Sequence, residues 1–169
     1  MEEYKYHKNF KKNVMFSKEK CQFCGSEIDC LEGTYFDNPE IKSVCVSCFK
    51  RKKAEVLIPE FIKNKIKKDL NQEIEELKYT PPVPWIQYND WQVCCDDFCI
   101  FIGEWKKEDF IREALDYDPI EFFKSLLNEY TLSLVDDINI LWNDIGNNTA
   151  AFVFECAKCN RKIVVCQSY

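Results

Sequence analysis

Apolar residues recur at three spacings along the chain, and each spacing predicts a different kind of element. Ile62, Ile66, Leu70, Ile74 and Leu77 lie three or four residues apart, which predicts one amphipathic helix over 59–78. Pro59 suits its first turn. The opposite face carries Lys63, Lys65, Lys67 and Lys68, then Glu73, Glu75 and Glu76. Thr80-Pro81-Pro82-Val83-Pro84 stops the helix. This segment is the candidate boundary between an N-terminal part, 1–80, and an acidic part, 81–169, which together make one compact unit. From 104 to 145 the spacing is helical again. Pro119 opens a segment with Phe122, Phe123, Leu126, Leu127 and Tyr130 on one side. Ser133 and Asp136 resemble a capping pair. Leu134, Val135, Ile138, Leu141, Trp142 and Ile145 form a further stripe, and Gly146-Asn147-Asn148 ends it.

The remainder reads as strand or loop. Residues 85–103 (WIQYNDWQVCCDDFCIFIG) are rich in aromatic and aliphatic residues, with Gly103 closing the run. The final stretch, AFVFEC-AKCN-RKIVVC, reads as two short strands around a turn. Residues 1–20 are polar and aromatic, and read as an extended arm or edge strand. With 46% hydrophobic and 15% aromatic residues, the composition is that of a folded chain. Only 4 Gly and 6 Pro argue against long flexible linkers. No apolar run approaches about 18 residues, so no membrane partner is expected. The first residues, MEEYKYHKNFKKNVMF, carry no apolar signal region, so a cytoplasmic location is expected.

The 11 cysteines change the picture most. Their odd number argues against a fully paired disulfide set, and CxxC pairs in such a chain point to metal. Cys21, Cys24, Cys45 and Cys48 are spaced CxxC-x20-CxxC, the pattern of a four-thiolate zinc site. Two residues between ligands let the chain turn with both sulfurs facing one ion, and Gly25 eases that turn. Redox-active thiols would instead call for a βαβ context, which this segment lacks. A third pair, Cys156 and Cys159, needs two more ligands. The supply is Cys94, Cys95 and Cys99, with Cys95 preferred. If extended, Cys95 and Cys99 would lie about 13 Å apart, so a turn at Asp96-Asp97 would be needed to bring them together. One Zn2+ is therefore expected, with a second possible. Cys30 and Cys166 read as packed or free thiols. The expected fold is α+β: a small Cys-rich zinc-knuckle lobe of treble-clef or zinc-ribbon type, then a mixed helix and short-strand lobe ending in a zinc-knuckle hairpin.

Charge is uneven. Residues 1–68 hold 15 Lys/Arg and 10 Asp/Glu, whereas residues 69–169 hold 8 and 19, and the net charge is −6. Thiolates at two zinc sites would take this to roughly −10. Within 104–144 there are 11 Asp/Glu against 4 Lys/Arg, which suits a basic protein partner. The basic stretch 50–68 invites a nucleic-acid reading, but the acidic remainder would repel a polyanion. Asp96 or Asp97 could act as a base beside a metal; a charged turn is the preferred reading. His7 is the sole histidine and reads as a surface or packing residue. Nucleotide-binding, hydrolase and metalloprotease motifs are absent, and no enzymatic activity is expected.

Together, YKYH at 4–7, CQFCG at 21–25, CVSC at 45–48, W-x5-W at 85–91 running into CCDDFCIFIG at 94–103, and TAAFVFECAKCNRK at 149–162 resemble the CbrC family of bacterial proteins, named for tolerance to a nuclease colicin. The resemblance spans nearly the whole chain, with 104–145 matching only in helical character. The family tends to have His where this chain has Cys94. That exchange fits a ligand position and makes Cys94 a candidate beside Cys95. The resemblance implies no catalytic activity. It implies an immunity protein that binds and neutralises a cognate toxin, a nuclease by analogy, in competition between bacteria. The alternatives are a zinc-dependent nucleic-acid-binding module or a metalloenzyme. Trp105 and Tyr117 are candidate anchors of a toxin interface.

Overall fold

The computed structural model describes residues 4–67, 69 and 71–169. Fifteen short elements are present among them. In chain order they are α1 (Phe10–Asn13), β1 (Cys30–Glu32), β2 (Ser43–Cys45), α2 (Val46–Lys50), α3 (Glu60–Lys63), α4 (Asn71–Lys78), β3 (Val93–Cys94), β4 (Asp97–Phe98), β5 (Ile100–Trp105), α5 (Lys107–Ala114), α6 (Pro119–Leu126), α7 (Glu129–Leu134), α8 (Ile138–Asp144), β6 (Thr149–Glu155) and β7 (Lys162–Ser168). The architecture is α+β with small antiparallel sheets, as the sequence implies.

The organising element is β6. It is the centre of an antiparallel sheet of order β5-β6-β7 and is buried from Thr149 to Phe154. A strand buried on both faces loses the usual alternation and becomes a continuous apolar run, which explains AAFVF. Alternate residues still serve different neighbours. Phe152 and Phe154 face the aromatic residues of the preceding loop: Trp85 lies 5.2 and 5.8 Å from them. Trp91 and Phe101 lie 5.5 and 5.3 Å from Phe154. This face continues into Leu31, Phe49, Ile62 and Leu77, so one core joins residues from both sides of the proline segment. Ala151 and Val153 point the other way, into a second core built by Phe110, Phe123, Leu127 and Ile145. The sheet therefore separates an aromatic core from a helical one.

Several elements differ from the sequence expectation. Residues 59–78 form two helices, α3 and α4, instead of one. Ile62, Ile66 and Leu77 are buried as the stripe requires, while Lys68 and Leu70 of that expected helix lie outside the described residues. Asn64 caps α3. Just beyond it, the Lys65 ammonium is drawn to Asp90 at 2.6 Å and to the Trp91 carbonyl. That tertiary attachment overrides helical periodicity. Residues 4–16 are not an extended arm: Tyr6 and Phe10 are buried, His7 bridges to Phe101, and α1 packs beside β5. The run 85–103 is irregular until Val93, and Gly103 lies inside β5 at a bulge instead of ending a strand. Helix begins only at Lys107. The stripe 134–145 is broken at Val135, the extended C-cap of α7, and Asp137 caps α8. Ser133 makes no cap; its hydroxyl donates to the Tyr130 carbonyl. No helix among the described residues is long and apolar enough to cross a membrane.

Gly33 shows how tightly the β1–β2 connection is drawn. A Cβ there would lie 2.0 Å from the Ile41 carbonyl oxygen and 2.8 Å from the Lys42 Cα. Backbone must move to admit even a methyl group, so Gly33→Ala is expected to destabilise the fold by about 2 kcal/mol. Urea denaturation checks this; an unchanged midpoint would show that the turn can relax.

Candidate metal centres

The first centre is assembled from a turn, a hairpin and a helix. Cys21 to Cys24 form the turn. The Gly25 N–H donates to the Cys21 carbonyl at 2.8 Å and the Cys21 N–H donates to the Ser26 carbonyl at 2.8 Å. Gly25 has φ 73, the left-handed conformation that glycine adopts at least cost. The β1–β2 pair sets Cys30 opposite Cys45. Cys45 then serves as both the last residue of β2 and the N-cap of α2, with its sulfur accepting from the Cys48 N–H at 3.4 Å. Cys48 is thereby placed on the first turn of the helix, facing the same point. Knuckle, hairpin and helix in this order make a treble-clef arrangement.

The second centre repeats the turn with a different partner. At the tip of the β6–β7 hairpin, the Asn160 N–H donates to the Cys156 carbonyl and the Cys156 N–H to the Arg161 carbonyl, both at 2.9 Å. Asn160 has φ 58 and stands where Gly25 stands in the first centre. Opposite it is the β3–β4 hairpin. Its register pairs Cys94 with Asp97 and leaves Cys95 and Asp96 as the two loop residues, with φ 53 and 57. Two consecutive left-handed residues between paired strands mark a type I′ turn, a position usually filled by Asn-Gly. The turn therefore lies at Cys95-Asp96, one residue earlier than the sequence suggested. It directs Cys94 and Cys95 to the centre. The Lys158 ammonium donates to the Cys95 carbonyl at 2.8 Å, fastening the two tips together.

The structure thus gathers Cys21, Cys24, Cys45 and Cys48 into one group, and Cys94, Cys95, Cys156 and Cys159 into another. In each, the four sulfurs lie within 4.8 Å of one another. Cys99 lies outside both groups: it is fully buried, and its carbonyl accepts from the Trp91 indole. Cys30 is buried and donates to the Ser26 carbonyl. Cys166 packs against the helical core, and burial pushes its thiol up to about 12.

A tetrahedral ion with Zn–S bonds of about 2.3 Å sets its sulfurs about 3.8 Å apart. The separations Cys24–Cys45, Cys94–Cys159 and Cys94–Cys95 are 3.6, 3.6 and 3.8 Å. Disulfides require about 2.05 Å. Both groups therefore fit a divalent, thiophilic cation, and all 11 cysteines are unpaired thiols. The electrostatics agree. Burial pushes the Cys21 thiol up, but backbone hydrogen bonds from Cys45, Phe23 and Cys24 outweigh it and bring the group down to about 6. Cys156 behaves likewise, reaching about 7 through the backbone of Cys159 and Lys158. Burial instead raises Cys45 to about 12 and raises Cys94 further, with the neighbouring thiols adding to each. Each centre thus has one thiol poised to ionise and others that resist ionisation beside it, a conflict that a cation resolves. At the first centre, the Arg51 guanidinium donates to the Cys48 sulfur at 3.2 Å and offsets part of the negative charge.

Asp97 holds structure together at the same hairpin as Cys94 and Cys95. Its carboxylate accepts from the Tyr6 hydroxyl and from the Phe98 N–H.

These features define an α+β protein with two four-cysteine groups able to hold metal ions. The chain belongs to the uncharacterised protein family UPF0167, whose profile matches residues 1–167. No curated protein and no solved structure matches it.

Two equivalents of a thiophilic divalent metal are expected by elemental analysis of the purified protein. Cys24→Ser combined with Cys48→Ser should leave one, as should Cys94→Ser combined with Cys159→Ser. Cys30→Ser, Cys99→Ser and Cys166→Ser should each leave two. Stripping the metal with a strong chelator should lower the thermal midpoint by roughly 10 °C or more; a chelated protein that melts unchanged would show that the sulfurs need no ion.

Proposed function

We propose that this protein binds two structural zinc ions and acts as an immunity protein, masking the basic surface of a cognate nuclease toxin. The observation that carries this reading is the character of the segment α5–α8. Large apolar side chains stand exposed there: Leu115 at 85%, Leu134 at 64%, Ile140 at 63% and Tyr117 at 62%. They are set in the stretch with 11 acidic and 4 basic residues. Exposed aromatic and aliphatic side chains in a predominantly acidic stretch suit a protein partner of the opposite sign. Leu115 adds to this. It ends α5 with φ 53, a conformation that an exposed leucine adopts only at a cost of about 1 kcal/mol or more. The resemblance of the cysteine motifs to the CbrC family, with its implied tolerance to a nuclease, agrees with the same reading.

The metal groups fit a structural role in it. Each presents four thiolates, the closed set of structural zinc, with no position left for water. Zinc would supply cross-links where short elements have little core of their own. Trp105 is partly buried, its ring packing 5.1 Å from Phe110 against the helical core, so it offers less free surface than Tyr117. Tyr117 and Leu115 are the anchors this surface offers.

The reading expects a secreted toxin to be encoded beside the gene; mixing the protein with that toxin's nuclease domain should give a complex by native mass spectrometry and suppress nuclease activity. Leu115→Asp and Tyr117→Ala should each weaken the complex about 30-fold, as expected for central contacts, without altering zinc content. No complex in moderate salt with that nuclease would dismiss the proposal.

A further inference from the structure

Beside β5, on the flank formed by residues 4–12, is a cavity of about 840 Å³. It belongs to neither metal centre nor to α5–α8. Its size is that of a small-molecule site. Tyr4, Phe10 and Ile100 supply apolar wall, and Lys5, Lys8, Lys11 and Lys12 supply positive charge.

The informative residue is His7, which also lines it. The ring is 2% exposed, and neither Nδ1 nor Nε2 has a hydrogen-bond partner among the described residues. Leaving a buried donor or acceptor unsatisfied costs about 1–3 kcal/mol, and native structures rarely do so without a reason. Backbone holds the ring there firmly. The Lys8 N–H donates to the Phe101 carbonyl at 2.9 Å, and the Phe101 N–H donates to the Tyr6 carbonyl at 2.8 Å. The imidazole stands edge-on to the Phe101 ring at 5.1 Å. Burial draws its pKa down to about 4. At neutral pH it is therefore an uncharged ring with one N–H to donate and one nitrogen to accept.

The lysines divide into two kinds. Lys5 is paired with Glu76 at 2.9 Å and Lys11 with Asp29 at 2.8 Å. Lys8 and Lys12 are exposed and make no ion pair among the described residues. The one acidic wall residue, Glu155, is engaged by Lys162 at 3.2 Å. Among the described residues, the uncompensated charge of the cavity is therefore positive.

We infer that this cavity binds a small organic anion. Its apolar body lies against Tyr4, Phe10 and Ile100, its phosphate or carboxylate oxygens are drawn by Lys8 and Lys12, and the His7 N–H donates to it. The assignment is independent of the toxin reading.

Because His7 is the sole histidine, its imidazole gives a single set of nitrogen resonances, and NMR of the zinc-loaded full chain reports on the site directly. Phenyl phosphate, phenylacetate and inorganic phosphate are the probes. At least one organic anion should shift the His7 nitrogens saturably, with an apparent Kd of about 1 mM or tighter. Which of the two binds tells phosphate from carboxylate. Lys8→Ala combined with Lys12→Ala, both on exposed positions, should weaken that binding at least tenfold with zinc content and backbone spectrum retained. His7→Phe, which keeps a ring against Phe101, should weaken it also, read on the Ile100 and Phe101 amides. Inorganic phosphate should bind more weakly. No shift with any probe up to about 10 mM, equal binding by the double lysine variant, or equal binding of inorganic phosphate would each overturn the assignment.

Discussion

Four cysteine sulfurs drawn within 4.8 Å of one another repel strongly once they ionise, and that proximity is built twice into this chain. The backbone arranges it at each centre with the same device: a CxxC turn followed by a left-handed residue, Gly25 or Asn160, and closed by two backbone hydrogen bonds. The opposite pair comes from different elements, a strand-to-helix junction in one case and a hairpin loop in the other. Such an arrangement is favourable only with positive charge at its middle. Most of the secondary structure here is three to eight residues long, too short to persist alone. The sulfur groups thus fix short elements that local propensity would leave undecided.

Between the centres, β6 serves in place of a larger sheet. Covered on both faces, it lets Phe152 and Phe154 organise the aromatic core while Ala151 and Val153 receive the helices. The small side chains on the helical face admit Phe110 and Phe123 close to the sheet. The division also keeps charge apart. The lysines of residues 5–12 flank one part of β5, whereas the acidic helices cover the other face of the sheet.

The cysteine spacing made the first centre legible, because four ligands within 28 residues leave little choice of geometry. The second was half legible. Cys156 and Cys159 announced a knuckle, but the choice among Cys94, Cys95 and Cys99 depended on where a two-residue turn falls, and Cys-Asp is not a usual sequence for a type I′ turn. The terminal hairpin was readable from its apolar runs. The helix expected over 59–78 was not, because periodicity reports which residues are buried and says nothing of a lysine drawn sideways to a buried carboxylate such as Asp90. The buried place of His7 was equally silent: YKYH has no periodicity, and the ring is carried inside beside Phe101, more than ninety residues away.

The second centre joins residues 94–95 to residues 156–159, and α5–α8 lie wholly between those two points. The acidic helices are thus an excursion that leaves and returns at one clasp. The entropy of closing such a span rises only slowly with its length, so the clasp tolerates change in what it encloses. The enclosed helices can lengthen or be rebuilt at little entropic cost, because the two ends of the excursion are held by the same four cysteines.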